Sequence, residues 1–252
     1  MAARLSVNLN KVALLRNSRG RGVPDLLAAA DRTLRAGAHG ITLHPRLDQR
    51  HVRFTDVPDM ARFLARTWPG VELNVECEDH PDLMELVLAV APAQVTLVPV
   101  TPGEVTSDHG WDLPRQGARL ARSVRLLRDA GLRVSAFADP RADVMGRFAD
   151  AGVHRVELYT GPYAWAEGAA DVANELRALR DAAAAAVSAG LGVNAGHDLD
   201  AANVVALRDL PGLVELSIGH ALAVRAWDVG YTVAIRELLD GMGVSPAPTP
   251  RS

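Results

Sequence analysis

The stretch Leu34-Arg35-Ala36-Gly37-Ala38-His39-Gly40-Ile41-Thr42-Leu43-His44 joins a helical segment to a short apolar run through the pair Ala36-Gly37. Glycine just past a helix end adopts the left-handed cap conformation without steric cost, and the chain can then enter a strand. The same pair recurs at Ala130-Gly131, Ala151-Gly152 and Ala189-Gly190, each time after a segment of helical composition and before a short apolar run. Helices alternating with short strands are the mark of parallel βαβ units.

Counting outward from these junctions, strands are expected at residues 5–9, 40–44, 71–76, 94–99, 133–137, 155–159, 192–195 and 214–218. Helices are expected at about 24–36, 55–67, 80–91, 114–130, 140–151, 171–189, 200–208 and 220–241, with Thr55 and Asp139-Pro140 as helix starts. Strict alternation of this kind predicts an α/β fold, a single-domain (β/α)8 barrel. A doubly wound open sheet is the runner-up, but no G-x-G-x-x-G follows the first strand, so a dinucleotide fold is unsupported. The long segments 10–24, 100–113 and 160–170 all follow strands and read as insertions on the C-terminal rim, where such barrels keep their chemistry. Residues 1–242 would form the catalytic domain, and the Pro- and Ser-rich tail 243–252 reads as disordered.

Composition excludes several classes. The hydrophobic content of 48% with only 4% aromatics points to a large aliphatic core. A net charge of -3 argues against general nucleic-acid binding. No run is long and apolar enough for a membrane span, no secretory segment leads the chain, and the single Cys77 excludes an internal disulfide framework. A cytoplasmic protein is the expectation.

Reactive side chains collect at the strand ends. His44-Pro45-Arg46-Leu47-Asp48-Gln49-Arg50-His51 places two histidines, two arginines and an aspartate directly after a buried strand. Its cations suit an anionic substrate and its imidazoles can move protons near neutral pH, although a solvated loop could carry the same charges. Of the eight histidines, His39 and His154 precede strands, whereas His44, His51, His80, His109, His197 and His220 follow them. In Leu73-Asn74-Val75-Glu76, alternation puts Asn74 and Glu76 on one face, expected to be the barrel interior, where a desolvated carboxylate can act as a general base. An ion pair within a barrel layer is the plainer alternative. Glu157 is a second carboxylate of this kind. The turns Asn194-Ala195-Gly196-His197-Asp198 and Ser217-Ile218-Gly219-His220-Ala221 fall after the seventh and eighth strands, the usual phosphate-binding position of these barrels. With Arg46 and His51 as a second anion site, the pattern suggests condensation of two phosphorylated small molecules. No H-E-x-x-H, paired cysteines, Walker sequence or nicotinamide fingerprint occurs, so neither metal nor cofactor is expected. Cys77 reads as a small buried thiol rather than a nucleophile.

Taken together, Val7-Asn8 with Leu15-Arg16-Asn17-Ser18-Arg19-Gly20, Gly40-Ile41-Thr42-Leu43-His44-Pro45-Arg46, Leu97-Val98-Pro99, Glu104-Val105-Thr106-Ser107-Asp108-His109-Gly110, Glu157-Leu158-Tyr159-Thr160-Gly161, Val193-Asn194-Ala195-Gly196-His197 and Ile218-Gly219-His220-Ala221 resemble the pyridoxine 5′-phosphate synthase family. The resemblance runs from about residue 5 to 240. It implies a (β/α)8 barrel, typically a homo-octamer, that condenses 3-amino-2-oxopropyl phosphate with 1-deoxy-D-xylulose 5-phosphate in vitamin B6 biosynthesis, releasing phosphate and water. By that resemblance His44 and Glu76 are proton acceptors, His197 is a proton donor and Glu157 stabilises the transition state. Asn8, Arg19, Asp198, Gly219 and His220 would hold the amino-ketone phosphate. Asn10, Lys11, Arg46, His51 and Thr106 would hold the deoxyxylulose phosphate. The chain departs from the commonest motif at Asn10-Lys11, where an Asp-His pair is usual, at Asp198, at Val100 and at Cys77. These changes motivate an alternative, a related barrel enzyme joining a different pair of phosphorylated ketones. A non-catalytic phosphometabolite-binding paralogue is a third reading, opposed by the presence of all the acid/base groups.

Overall fold

The computed structural model describes residues 3–99 and 107–248. Eight strands, β1 (Arg4–Asn8), β2 (Gly40–Leu43), β3 (Glu72–Cys77), β4 (Gln94–Leu97), β5 (Arg133–Ala138), β6 (Arg155–Tyr159), β7 (Gly192–Gly196) and β8 (Leu213–Ile218), pair in parallel in sequence order and close β8 onto β1. The chain is a single-domain (β/α)8 barrel, as its alternating pattern predicts.

Ten α-helices surround it among the described residues: α1 (Asn10–Arg19), α2 (Leu26–Arg35), α3 (Asp56–Thr67), α4 (Pro81–Val90), α5 (Leu113–Asp129), α6 (Met145–Asp150), α7 (Gly161–Trp165), α8 (Ala169–Ser188), α9 (His220–Val229) and α10 (Tyr231–Met242). Two of these, α1 and α7, lie in segments expected to be loops. The expected helix at 220–241 is broken at Gly230, whose φ of 83° ends α9 before α10 begins. The expected helix at 200–208 is a 3-10 turn, Asn203–Leu207, and the one at 140–151 is reduced to a 3-10 turn followed by α6. Of the two expected helix starts, Thr55 does occupy the N-cap position of α3, whereas Asp139 caps no helix. The Thr55 side chain makes no cap hydrogen bond, and Asp139 Oδ1 instead accepts from the Gly110 N–H at 2.8 Å.

Strand alternation separates two environments. Leu5, Val7, Ile41, Leu43, Val75, Val95, Leu97, Val134, Val156, Leu158 and Val193 join the core between barrel and helices. The lumen is polar. Hydrogen bonds from Gln94 on β4 to Glu215 on β8, and from Ser217 on β8 to Glu76 on β3, link strands that are not neighbours and so cross the interior. Branched aliphatic residues dominate the lumen of most such barrels. Here Ser6, Thr42, Asn74 and Thr96 form a hydrogen-bonded chain across its middle. At the lower end Glu72 is paired with Arg4 and Arg133.

Below the strands, the two histidines assigned to the structural face serve the backbone. His39 Nδ1 accepts from Leu5 N–H at 3.2 Å and His154 Nδ1 from Val134 N–H at 3.0 Å. Within the tail, Val244 N–H donates to the Leu239 carbonyl, Ala247 N–H donates to the Gly37 carbonyl, and Pro246 lies against Gly37. Residues 249–252 lie outside the described residues.

Phe148 of α6 is fully buried in the barrel–helix core. Phe148→Ala should destabilise the fold by about 3–5 kcal/mol, because the cavity it leaves adds to the lost apolar burial. Chemical denaturation checks this, with a lower midpoint at unchanged slope.

Candidate functional site

The upper lumen brings together the side chains that alternation placed at the strand ends. Glu76, ending β3, is buried, and three neighbours surround its carboxylate. His44 Nδ1 lies 3.3 Å from Oε2, Asn8 Nδ2 is 3.4 Å from the same oxygen, and Ser217 Oγ is 3.4 Å from Oε1. These contacts are long for charge-assisted bonds and leave room to tighten around a bound molecule.

Glu157, expected at the end of β6 but found at its middle, is sealed in the same lumen. Its Oε2 has no hydrogen-bond partner among the described residues. Burial pushes its pKa well above the ordinary carboxylate range, and the Glu76 and Glu215 carboxylates push the same way. Gly196 makes space for it: a Cβ there would sit 2.7 Å from Glu157 Oε1. Glu215 is also raised by burial, against the pull of Arg155, and accepts from Gln94 and Asn194.

The first βα connection fixes the other side of the mouth. Asn8 Oδ1 accepts from Asn10 N–H at 2.9 Å, and Asn10 Oδ1 accepts from His44 N–H at 3.0 Å. Each asparagine therefore orders the backbone beside it. The buried Arg16 forms a two-pronged pair with Asp56 at 2.7 and 2.8 Å and donates to the His51 carbonyl. Asn17 donates to the same carbonyl at 2.7 Å. Thus α1 ties down the loop that carries Arg46 and His51. Sequence reasoning missed this latch, since Arg16 and Asp56 are separated by 40 residues and look like ordinary surface charges.

His51 sits beside His44, ring centroids 6.0 Å apart, and its Nδ1 accepts from Val52 N–H. That acceptor role leaves Nε2 to carry the proton. Burial, with the His44 and Arg46 charges, lowers its pKa to about 4. It is a neutral donor at pH 7. Arg46 is buried in the same loop, whereas Asp48 and Arg50 pair with each other at the surface.

His197 follows β7 in a strained turn. Its φ is 86° and that of Asp198 is 55°, both unusual for residues with a side chain and worth about 1–3 kcal/mol of strain each. The imidazole packs against Phe137 (5.1 Å) and edge-on to Tyr159 (5.3 Å). Burial lowers its pKa, opposed by the charges of Glu76 and Asp198. Gly219 touches Asn8, where an added Cβ would meet Asn8 Cβ at 3.0 Å, and His220 begins α9 in an exposed position. Asp198, His220 and Trp165 line a cavity of about 520 Å³ beside this rim, to which His44, Glu76 and Glu157 do not contribute.

Not every expected residue joins the cluster. Lys11 is exposed on α1. Arg19 is exposed at the far end of α1, nine residues or about 13 Å along the axis from Asn10. Thr106 lies outside the described residues, as does Val100. His80 caps α4, accepting weakly from Asp82 N–H, and His109 Nδ1 contacts the Gly110 carbonyl. Cys77 is buried and its thiol is pushed up by burial and by nearby carboxylates, so it stays protonated. Among the described residues no three His, Cys, Asp or Glu side chains are placed to hold a metal ion, and no helix is long and apolar enough to cross a membrane.

Comparison with known proteins shows the family. The family model for pyridoxal phosphate biosynthesis protein PdxJ matches residues 5–243. The pyridoxine 5′-phosphate synthase of Albidiferax ferrireducens is 45% identical over 245 residues, covering 95% of this chain and 97% of that protein. The synthase of a Chelativorans species is 46% identical over 243 residues, covering 95% and 98%. Solved structures similar in fold include a mutant tryptophan synthase α-subunit from Pyrococcus furiosus (TM-score 0.63, 13% identity, covering 96% of this chain and 98% of that one). Another is thiamine phosphate pyrophosphorylase from the same organism (TM-score 0.58, 12% identity, covering 96% of each). With nearly the whole chain matched, this protein belongs to the PdxJ family of pyridoxal phosphate biosynthesis proteins.

Proposed function

We propose that the chain is a pyridoxine 5′-phosphate synthase that joins 3-amino-2-oxopropyl phosphate to 1-deoxy-D-xylulose 5-phosphate. The observation that carries this reading is the Glu76 carboxylate held among His44, Asn8 and Ser217. Condensing an amine with a ketone, losing water and tautomerising to an aromatic ring requires repeated proton transfers about one intermediate. Glu76 and His44 take protons from that intermediate. His197, kept short of positive charge by burial, first takes up a proton released from the intermediate and then, as the imidazolium, passes it to a leaving oxygen. Glu157, favoured in its protonated form, donates a hydrogen bond where negative charge develops on oxygen.

Two anion positions flank this centre. Asn10, Lys11, Arg46, His51 and Thr106 serve the deoxyxylulose phosphate, for which the neutral Nε2–H of His51 is a fitting donor. Asn8, Arg19, Asp198, Gly219 and His220 serve the amino-ketone phosphate. There the N-terminus of α9 supplies backbone N–H groups, and α9 is long enough for its dipole to favour an anion. The family's octamer and a cytoplasmic location complete the proposal.

Incubation with both phosphates, followed by mass spectrometry, should yield pyridoxine 5′-phosphate. Binding of both substrates without product would overturn the assignment. Glu76→Gln and His197→Asn should each lower kcat by about 10²–10⁴-fold, the usual contribution of a positioned acid or base. Steady-state kinetics on folded variants would show it.

His51 also makes a pH prediction for the ligand-free protein. Its folded pKa of about 4 lies below the ordinary 6.5, so the unfolded chain binds more protons between these values. The contribution is therefore complete above pH 6.5 and is lost as pH falls toward 4. His51→Asn should flatten the fall in stability across that window by about 2 kcal/mol. Denaturation curves at several pH values test this, and an unchanged slope would contradict it.

A further inference from the structure

Thr160 stands one residue beyond β6, in the N-cap position of the short α7. Threonine there ordinarily turns its hydroxyl onto the backbone of its own helix. In this protein no such cap bond forms. The hydroxyl crosses instead to the end of β7, where Oγ1 lies 2.6 Å from both the Gly196 and the His197 carbonyl oxygens. Thr160 N–H already donates to the Gly196 carbonyl at 2.9 Å. A hydroxyl has one proton to give, and Gly196 has a donor without it. The His197 carbonyl, among the described residues, has no other.

The peptide held in this way is the strained one. The His197 carbonyl belongs to the link between two consecutive non-glycine residues with positive φ, 86° and 55°. Such a backbone persists only where its surroundings over-determine it. β7 is paired in register with both neighbours up to Gly196, and that pairing stops one residue short of His197, so the sheet ladder does not itself hold the turn. Tyr159 and Gly196 are the last registered pair of β6 and β7. Thr160 is fully buried and adds one rung beyond that pair.

We propose that Thr160 is the positioning residue for His197, its hydroxyl locking the left-handed His197–Asp198 turn so that the imidazole stays seated against Phe137 and Tyr159 and directed at the Glu76 centre. The inference rests on the reading of His197 as the proton donor. Thr160 itself touches neither substrate nor reacting atoms. Without its hydroxyl the turn relaxes, the ring leaves its apolar seat for part of the time, and water reaches it.

Thr160→Ala removes the hydroxyl without pressing a methyl group against the two carbonyls. The expected result is a kcat lower by about 10–100-fold, the scale of a small misplacement of a catalytic group. KM for the deoxyxylulose phosphate should stay within about threefold, since none of the residues assigned to it lies on this turn. Thr160→Ser keeps the donor and should restore most of kcat. The His197 imidazole, followed by NMR in the ligand-free protein, should titrate at higher pH in T160A than in wild type, and at the wild-type position in T160S. A T160A protein with wild-type kcat, or one whose His197 titration is unmoved, would overturn the proposal. So would T160S being as impaired as T160A. If T160A does not fold, Thr160→Cys, with its longer and weaker donor, provides the same comparison. The titration does not depend on turnover, so a wild-type protein that makes no product would refute the functional assignment while leaving this test in force.

Discussion

Three carboxylic acids, Glu76, Glu157 and Glu215, are enclosed in one barrel lumen, and the rest of the site depends on how their charge is managed. Removing an ionised carboxylate from water costs several kcal/mol unless a cation or a set of donors replaces the water. Two ionised carboxylates in one dry space add repulsion to that cost. The three acids meet this constraint differently. Glu215 is bridged by Gln94 and Asn194, near Arg155. Glu76 is ringed by His44, Asn8 and Ser217. Glu157 has one oxygen with no partner among the described residues, and the physical resolution is that it keeps its proton. A protonated acid near the Glu76 carboxylate sets a donor beside an acceptor in one lumen.

The polar lumen is what makes this arrangement possible. Strand alternation sends aliphatic side chains outward to the helices and sends Ser, Thr, Asn, Gln, Glu and Arg inward. Stability thus comes from the barrel–helix layer, while the lumen is released for chemistry. In the lower lumen Arg4 and Arg133 are engaged by Glu72, and Arg155 and Arg133 also pull on Glu215. At the mouth the backbone is pinned by side chains from neighbouring connections: Asn10 on His44, Arg16 and Asn17 on the His51 carbonyl, Thr160 on the His197 carbonyl. Each of these contacts fixes the backbone of, or beside, a residue of the proposed site.

Much of this was legible in the sequence because it follows from short-range periodicity. The four Ala-Gly junctions mark helix-to-strand passages, and the strand ends fall within about two residues of expectation throughout. The period of two then put Asn74 and Glu76 on one face, and the lumen is where both are found. Helix α1 escaped detection because it lacks an apolar stripe. Its buried face includes Arg16, which is buried as an ion pair with a residue on α3. The break at Gly230 was hidden by continuous helical composition on both sides. Arg19 reads as a loop residue, whereas it is the exposed last residue of α1. The roles of Arg16, Asn17 and Thr160 arise from contacts across 32 to 40 residues, which no local pattern encodes.

The protonation of Glu157 is the point on which the others turn, and infrared difference spectroscopy reads it directly. Comparing wild type with Glu157→Gln at pH 7 isolates this one carboxyl from Glu76 and Glu215. The expected result is the C=O stretch of a protonated carboxylic acid in wild type that is missing from E157Q. A difference spectrum showing only the loss of an ionised carboxylate would contradict a neutral Glu157, and with it the division of roles among the three buried acids.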